Sequence, residues 1–225
     1  MNKRVLITAS AAAVLTATLV SPAGPAQAAA GSCTIAIGPK LAIDSEYEQF
    51  NAELREDCAA AGVEGAGWLL QSQRDGQLYT WADFQGVNRT TVGFDSDFPL
   101  GGYKVVPDGA GSDGGAVAVP QRTGYVSVKQ QSRASLAATR SGRTVTLTAT
   151  ATYYEVGTDR YRPFKGAAVH FQVRTPQGWK TMGRVDAGTD GKASHRQTAG
   201  TSTTWRAIVL ETTRIWDRTT TTRTI

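Results

Sequence analysis

Histidine and cysteine are scarce in this chain, with two of each in 225 residues. Zinc takes three or four His, Cys or carboxylate donors. His170 and His195 stand 25 residues apart with no third ligand spaced to join them, so no metal site is expected. The histidines lie more than a hundred residues from either cysteine, which leaves a nucleophilic thiol without a nearby base in sequence. Gly-x-Ser-x-Gly, His-Glu-x-x-His and the phosphate-cradling Gly-Lys-Ser/Thr are all missing, so no catalytic residue and no cofactor is assigned. Charged residues make up only 19%, and Gly (24) with Pro (8) is near the average share, which excludes collagen, a coiled coil and a low-complexity tail. Beyond the first twenty residues no long apolar run occurs, and this excludes a multi-span membrane protein.

The one apolar run, Val5 to Val20, follows the positive Asn2-Lys3-Arg4 and ends at Ser21-Pro22. It is shorter than the ~20 residues a membrane span needs. Ala26-Gln27-Ala28 and Ala28-Ala29-Ala30 then offer small residues at the positions a signal peptidase reads. A cleaved signal peptide over 1–30 and a secreted, extracellular product are therefore expected. Without a lipobox, a wall-sorting motif or a second apolar segment, no membrane anchor is expected. Cys33 and Cys58 agree with export, an even count in an oxidising compartment, and read as a structural disulfide.

Charge divides the remainder unevenly. Residues 31–124 hold 6 basic and 13 acidic residues, net −7, while 125–225 hold 16 basic and 6 acidic, net +10. Such asymmetry means either that two halves neutralise each other or that they meet different partners. Composition places an acidic, disulfide-bearing domain at 31–128 and a basic, Thr-rich domain at 129–225, with the linker near 128–133. Pro107 to Gly115 is so rich in turn formers that it reads as a surface loop.

The second half is a succession of strand signals. Thr144 to Tyr153 alternates Thr with apolar residues, and Val145, Leu147, Ala149, Ala151 and Tyr153 should face a core. Ser135–Thr139, Ala168–Arg174, Trp179–Val185, Lys192–Gln197, Trp205–Leu210 and Trp216–Thr224 complete seven strands. Gly188-Thr189-Asp190-Gly191 reads as a hairpin turn between two of them. In the first half Cys33–Ile37, Trp68–Gln73, Gln77–Asp83, Thr90–Phe94 and Tyr103–Val106 read as strands, with Asp75-Gly76 as a hairpin turn. Residues 45–61 fit a helical face through Tyr47, Phe50, Leu54 and Cys58 and a strand face through Phe50, Ala52 and Leu54. Antiparallel pairing of 33–37 with 47–54 would bring Cys33 towards Cys58, which favours a strand followed by a short helical turn at 55–61. The fold expected is all-β, two antiparallel sandwiches.

Phe164-Lys165-Gly166-Ala167-Ala168-Val169-His170-Phe171-Gln172, Gly178-Trp179-Lys180-Thr181, Thr189-Asp190-Gly191 and Trp205-Arg206-Ala207 together resemble bacterial immunoglobulin-like repeats over about 135–224. More loosely, the layout resembles small secreted proteins of high-GC Gram-positive bacteria that carry one disulfide-bearing and one Thr-rich immunoglobulin-like domain. The resemblance implies two immunoglobulin-like β-sandwiches and a secreted accessory or binding protein, and it transfers no catalytic residue.

His170 alternates with Val169 and Phe171 and should point outward, and His195, in a polar strand, is read in the same way. Asp95-Ser96-Asp97 with Asp83 offers oxygen ligands but not the spacing of a calcium loop, and reads as a solvated turn. All five tryptophans fall in expected strands, where core packing is the default; Trp179 and Trp216 are the two candidates for stacking on sugar rings. The basic residues Arg133, Arg140, Arg143, Arg174 and Arg184, with Arg160, Arg162, Lys165 and Lys180 as ligand-binding candidates, suit anionic polymers of a cell envelope, such as teichoic acids or peptidoglycan, or another polysaccharide. Spread over strands without a recognition helix, they do not suit nucleic acid. The expectation is a non-enzymatic binding protein. Its competitors are a structural protein whose halves pack charge against charge and a secreted enzyme inhibitor.

Overall fold

The computed structural model describes residues 32–112 and 117–225. The expected leader over 1–30, with both Ala-x-Ala sites, lies outside the described residues.

The chain runs through β1 (Ile35–Ile37), β2 (Lys40–Ile43), β3 (Tyr47–Leu54), α1 (Glu56–Ala60), β4 (Gly65–Ser72), β5 (Leu78–Gln85), β6 (Arg89–Asp95), β7 (Gly101–Ser112), β8 (Val117–Ala118) and β9 (Gly124–Gln130). These strands make a three-stranded sheet, β1-β3-β6, and a six-stranded sheet, β2-β9-β7-β4-β5 with β8 on β7. The second set is β10 (Ser132–Ser141), β11 (Thr144–Glu155), β12 (Arg160–Pro163), β13 (Ala168–Thr175), β14 (Gly178–Asp186), β15 (Lys192–Thr198), β16 (Thr204–Val209), β17 (Arg218–Thr219) and β18 (Arg223–Thr224). It builds a four-stranded sheet, β10-β11-β12 with β15 on β11, and a five-stranded sheet, β14-β13-β16-β17 with β18 on β16. The protein is all-β, each half a pair of sheets packed as a β-sandwich around its own core. Their ladders are antiparallel apart from β2 on β9.

Period-2 patterning explains both cores. In β11 the side chains of Val145, Leu147, Ala149 and Ala151 are fully buried, and they share a cluster with Val169, Phe171, Trp205 and Ala207. The N-terminal cluster is aromatic, with Trp68 edge-on to Phe84 and Phe94 edge-on to Tyr103. Fully burying a side chain the size of Val145, Leu147 or Phe171 contributes about 1.5–3 kcal/mol, and an alanine methyl about 0.8 kcal/mol. Burial pushes the Tyr103 hydroxyl's pKa far up, and that hydroxyl donates to Pro99 O at 2.7 Å.

The ambiguous stretch is a strand and then one turn of helix. β1 pairs with β3 so that Ile35 faces Leu54, and α1 presents Cys58 to Cys33, with Cα atoms 4.3 Å apart in the disulfide. Closing this loop contributes roughly 3–3.5 kcal/mol in the chain-entropy model.

Several expectations are corrected. Residues 107–112 are not a loop; β7 runs on to Ser112, pairing with Gly65–Gly67 of β4 across a bulge. Gly188–Gly191 is not a hairpin turn, because β14 belongs to the five-stranded sheet and β15 pairs with β11 in the other. The turn carries the chain from one sheet to the next. The run Trp216–Thr224 is broken into β17 and β18, since Thr220 turns inward and its Oγ1 accepts from the Ala207 amide at 3.0 Å. At the far end of β11 both neighbours turn inward: Tyr153 packs on the C-terminal cluster, whereas Tyr154, 1% exposed, enters the N-terminal one.

Candidate binding site on the C-terminal sandwich

The halves meet at Gln131, the single residue between β9 and β10. Its amide donates to Ile43 O at 2.8 Å, and its carbonyl accepts from the Tyr154 amide at 2.9 Å. Trp216 wedges into the same junction, 8% exposed. Its indole Nε1 donates to Leu41 O at 2.8 Å, its amide donates to Gln130 O at 3.0 Å, and its carbonyl accepts from Ser132 Oγ at 2.8 Å. The ammonium groups of Lys40 and Lys129 lie 4.7 and 4.4 Å from its ring. On the other flank the Arg133 guanidinium stacks 3.6 Å from the Tyr161 ring, and the Tyr161 hydroxyl donates to Asp44 at 3.0 Å. Burial, with the Asp44 carboxylate adding to it, pushes the Tyr161 hydroxyl up to about 12.

The ion pairs across this junction have a telling polarity. Lys40 meets Asp217 at 3.0 Å and Glu211 at 3.9 Å, and Lys129 of β9 meets Glu211 at 3.4 Å. Each sets a lysine of the N-terminal sandwich against an acid of the C-terminal one. Among the described residues only Arg133 with Asp44, at 3.6 Å, joins a base of the basic half to an acid of the acidic half. The junction therefore pairs minority charges and leaves the opposite surpluses of the two halves facing solvent.

The residues singled out from sequence do not converge. Arg160 and Arg162 lie on β12 and Lys165 in the turn after it, within the four-stranded sheet; Trp179 and Lys180 lie on β14 in the five-stranded sheet. Trp216 is occupied by the junction. Arg162 is paired with Glu155, and the Arg160 Nε donates to Thr158 O at 3.2 Å. Arg140 ties the C-terminus down through the carbonyls of Ala199, Thr201 and Ile225. Arg140, Arg160 and Arg162 thus already have partners within the fold.

One group does come together, on the outer face of the five-stranded sheet. The β13–β14 register sets Arg174 opposite Trp179 and Gln172 opposite Thr181, while β13–β16 sets Gln172 opposite Arg206. Trp205 and Ala207 point into the core, so Arg206 between them must point out. Its guanidinium carbon lies 4.2 Å from the centre of the half-buried Trp179 ring, and that of Arg174 lies 5.6 Å from it. Arg206 Nε donates to Gln172 Oε1 at 2.8 Å, and Gln172 Nε2 donates to Thr181 Oγ1 at 3.0 Å. Arg206 is the member that sequence reasoning missed. The alternation around Trp205 was its available signal.

The other candidates take no part. His170 lies on the same outer face, in register with Arg184. His195 does not point outward: its ring stacks on Phe171 at 5.5 Å, its Nε2 is buried without a partner among the described residues, and Gly183 leaves it room. No group of three His, Cys, Asp or Glu that could hold a metal ion occurs among the described residues, Asp95 and Asp97 included. Trp68 and Trp205 are core, whereas Trp81, on the edge strand β5, is 65% exposed. No helix of the described residues is long and apolar enough to cross a membrane.

No protein-family model matches the chain, and no curated protein matches it. Among solved structures it is similar to Escherichia coli α2-macroglobulin, at 16% identity and TM-score 0.41, over 86% of this chain and 14% of that one. It is also similar to the Yersinia pseudotuberculosis adhesin InvE, at 14% identity and TM-score 0.30, over 86% of this chain and 58% of the other. The FN1–FN3 domains of chicken CNTN1 follow at 9% identity and TM-score 0.33, over 84% and 64%. The chain thus spans less than two thirds of each of these proteins, and at such scores the likenesses carry no argument about its activity.

Proposed function

We propose that the protein is a secreted, non-enzymatic binding protein whose basic C-terminal sandwich docks on anionic polymers of the cell envelope. The observation that carries this reading is the polarity of the junction. Counted at Gln131, which puts Lys129 of β9 in the N-terminal sandwich, the halves carry net charges of −6 and +9; had they evolved only to pack on each other, arginines of the positive half would face carboxylates of the negative one. Instead three of the four crossing pairs among the described residues run the other way. A positive surplus left on the surface attracts polyanions over a Debye length and does so less as salt rises. The disulfide suits an oxidising, extracellular compartment, in keeping with the secreted proteins that the sequence resembles.

Stacking of a neutral sugar is the weaker reading for this half. Trp216 is buried in the junction, and Trp179 carries Arg206 over its ring. The test is co-sedimentation of residues 31–225 with purified cell wall across a salt series. The protein is expected to pellet at low salt and to be released as salt rises. Absence from the pellet at low salt would contradict the reading.

A further inference from the structure

We infer that Arg174, Trp179 and Arg206 form a subsite for a phosphodiester group of an envelope polymer, an assignment that rests on the docking reading above. Two guanidiniums share one indole ring, at 4.2 and 5.6 Å from its centre. Cation–π contact and the hydrogen bond to Gln172 hold Arg206 in one orientation. Its Nε is engaged there, and among the described residues Nη1 and Nη2 donate to no protein acceptor; nor does the guanidinium of Arg174. Planar forks of this kind match oxyanions bidentately.

The choice of phosphate over carboxylate follows from shape. A carboxylate has two oxygens in one plane, which one guanidinium can satisfy. A tetrahedral phosphate directs its oxygens several ways and can engage two guanidiniums at once. Charge also favours an anion here: the one carboxylate on the outward positions of β13, β14 and β16 is Asp186, which faces Arg184 at 3.8 Å. A nucleobase would need an open aromatic face, and Arg206 covers that of Trp179. The polymer expected is therefore a phosphodiester chain without stacking bases.

Calorimetric titration of residues 31–225 with long-chain inorganic polyphosphate, polygalacturonate and oligo(dT), at equal charge concentration, tests the assignment. Polyphosphate should bind on the order of tenfold tighter than polygalacturonate. R206K keeps the charge but loses the fork, and should weaken polyphosphate about tenfold while leaving polygalacturonate unchanged. R174K should do the same to a smaller degree. R160Q removes a charge from the other sheet and should stay within about twofold of the parent. Equal binding of both polyanions, with R206K indifferent or R160Q as damaging as R206K, overturns the subsite and leaves the docking reading intact. Oligo(dT) binding tighter than polyphosphate also overturns it. Binding to none of the three removes the docking reading as well. The thermal midpoint of each variant separates a lost contact from a lost fold.

Discussion

Replacing Gly191 by alanine is expected to destabilise the protein by on the order of 3–5 kcal/mol. Gly191 sits at φ +74°, in the left-handed region that disfavours alanine by about 1–2 kcal/mol. The larger part is steric. A Cβ there would lie 2.3 Å from Ala151 O, 3.1 Å from Phe164 N and 3.3 Å from Pro163 Cα, all of them backbone atoms. The backbone cannot simply move away, because Gly191 O accepts from the Ala151 amide at 2.9 Å and Ala151 O accepts from the Phe164 amide at 2.9 Å. The turn is thus pressed on the β11–β12 ladder at the point where the chain changes sheets. Gly76 is the control, at φ +75° with nothing within 4 Å of an added Cβ. Gly76→Ala should cost only the backbone part, about 1–2 kcal/mol. Urea unfolding of both variants checks the contrast, and equal losses would contradict it.

Replacing Trp216 by alanine is expected to cost about 3–5 kcal/mol, through the cavity left by a buried indole. It also leaves Leu41 O without its donor and removes the ring from beneath Lys40 and Lys129. Because these contacts tie β2 and β9 to the C-terminal strands, the variant should unfold in two separated steps rather than one. Trp216→Phe keeps most of the apolar volume and loses the N–H, so it should fall between the two, near 1–3 kcal/mol. Calorimetry with hydrogen exchange reads both effects. A loss below about 1 kcal/mol would mean that the wedge does not couple the halves.

How much of this was legible in the sequence depends on length and on context. β11 was readable because twelve residues repeat one alternation around Val145, Leu147, Ala149 and Ala151. β2 and β12 were not seen, since Lys40–Ile43 and Arg160–Pro163 are each only four residues long. Thr189-Asp190-Gly191 was recognisable as a turn, but turn chemistry states that a chain reverses and not which sheet the next strand joins. Pro107-Asp108-Gly109 looked like a loop because glycine normally weakens strands, yet Gly65 and Gly67 stand opposite on β4 and form ladder with it. The disulfide partners were fixed by count alone.

The site was less legible than the fold. Trp179 was singled out as a candidate for stacking on sugar rings, but its partners Arg174 and Arg206 come from strands β13 and β16, and only the registers reveal that they meet. Trp216 looked like any strand tryptophan, because its role depends on Leu41, 175 residues away. His195 lies among Ser194, Arg196 and Gln197, and polar neighbours hid an inward-facing ring. Net charge per half was countable. Which charges the junction would consume was not.

The central claim, that the opposite surpluses of the halves face solvent and not each other, is tested most directly by the salt dependence of stability. The Lys40–Asp217 pair is solvent-accessible, with side chains 57% and 44% exposed, and such a pair contributes little to stability. Raising salt from about 0.01 to about 1 M shortens the Debye length from about 30 to about 3 Å. Screening then acts mainly on like-charge repulsion inside each half. The thermal midpoint of residues 31–225 should stay level or rise over that range. A fall of about 5 °C or more would show the two halves attracting each other through their surplus charge, and would contradict the account.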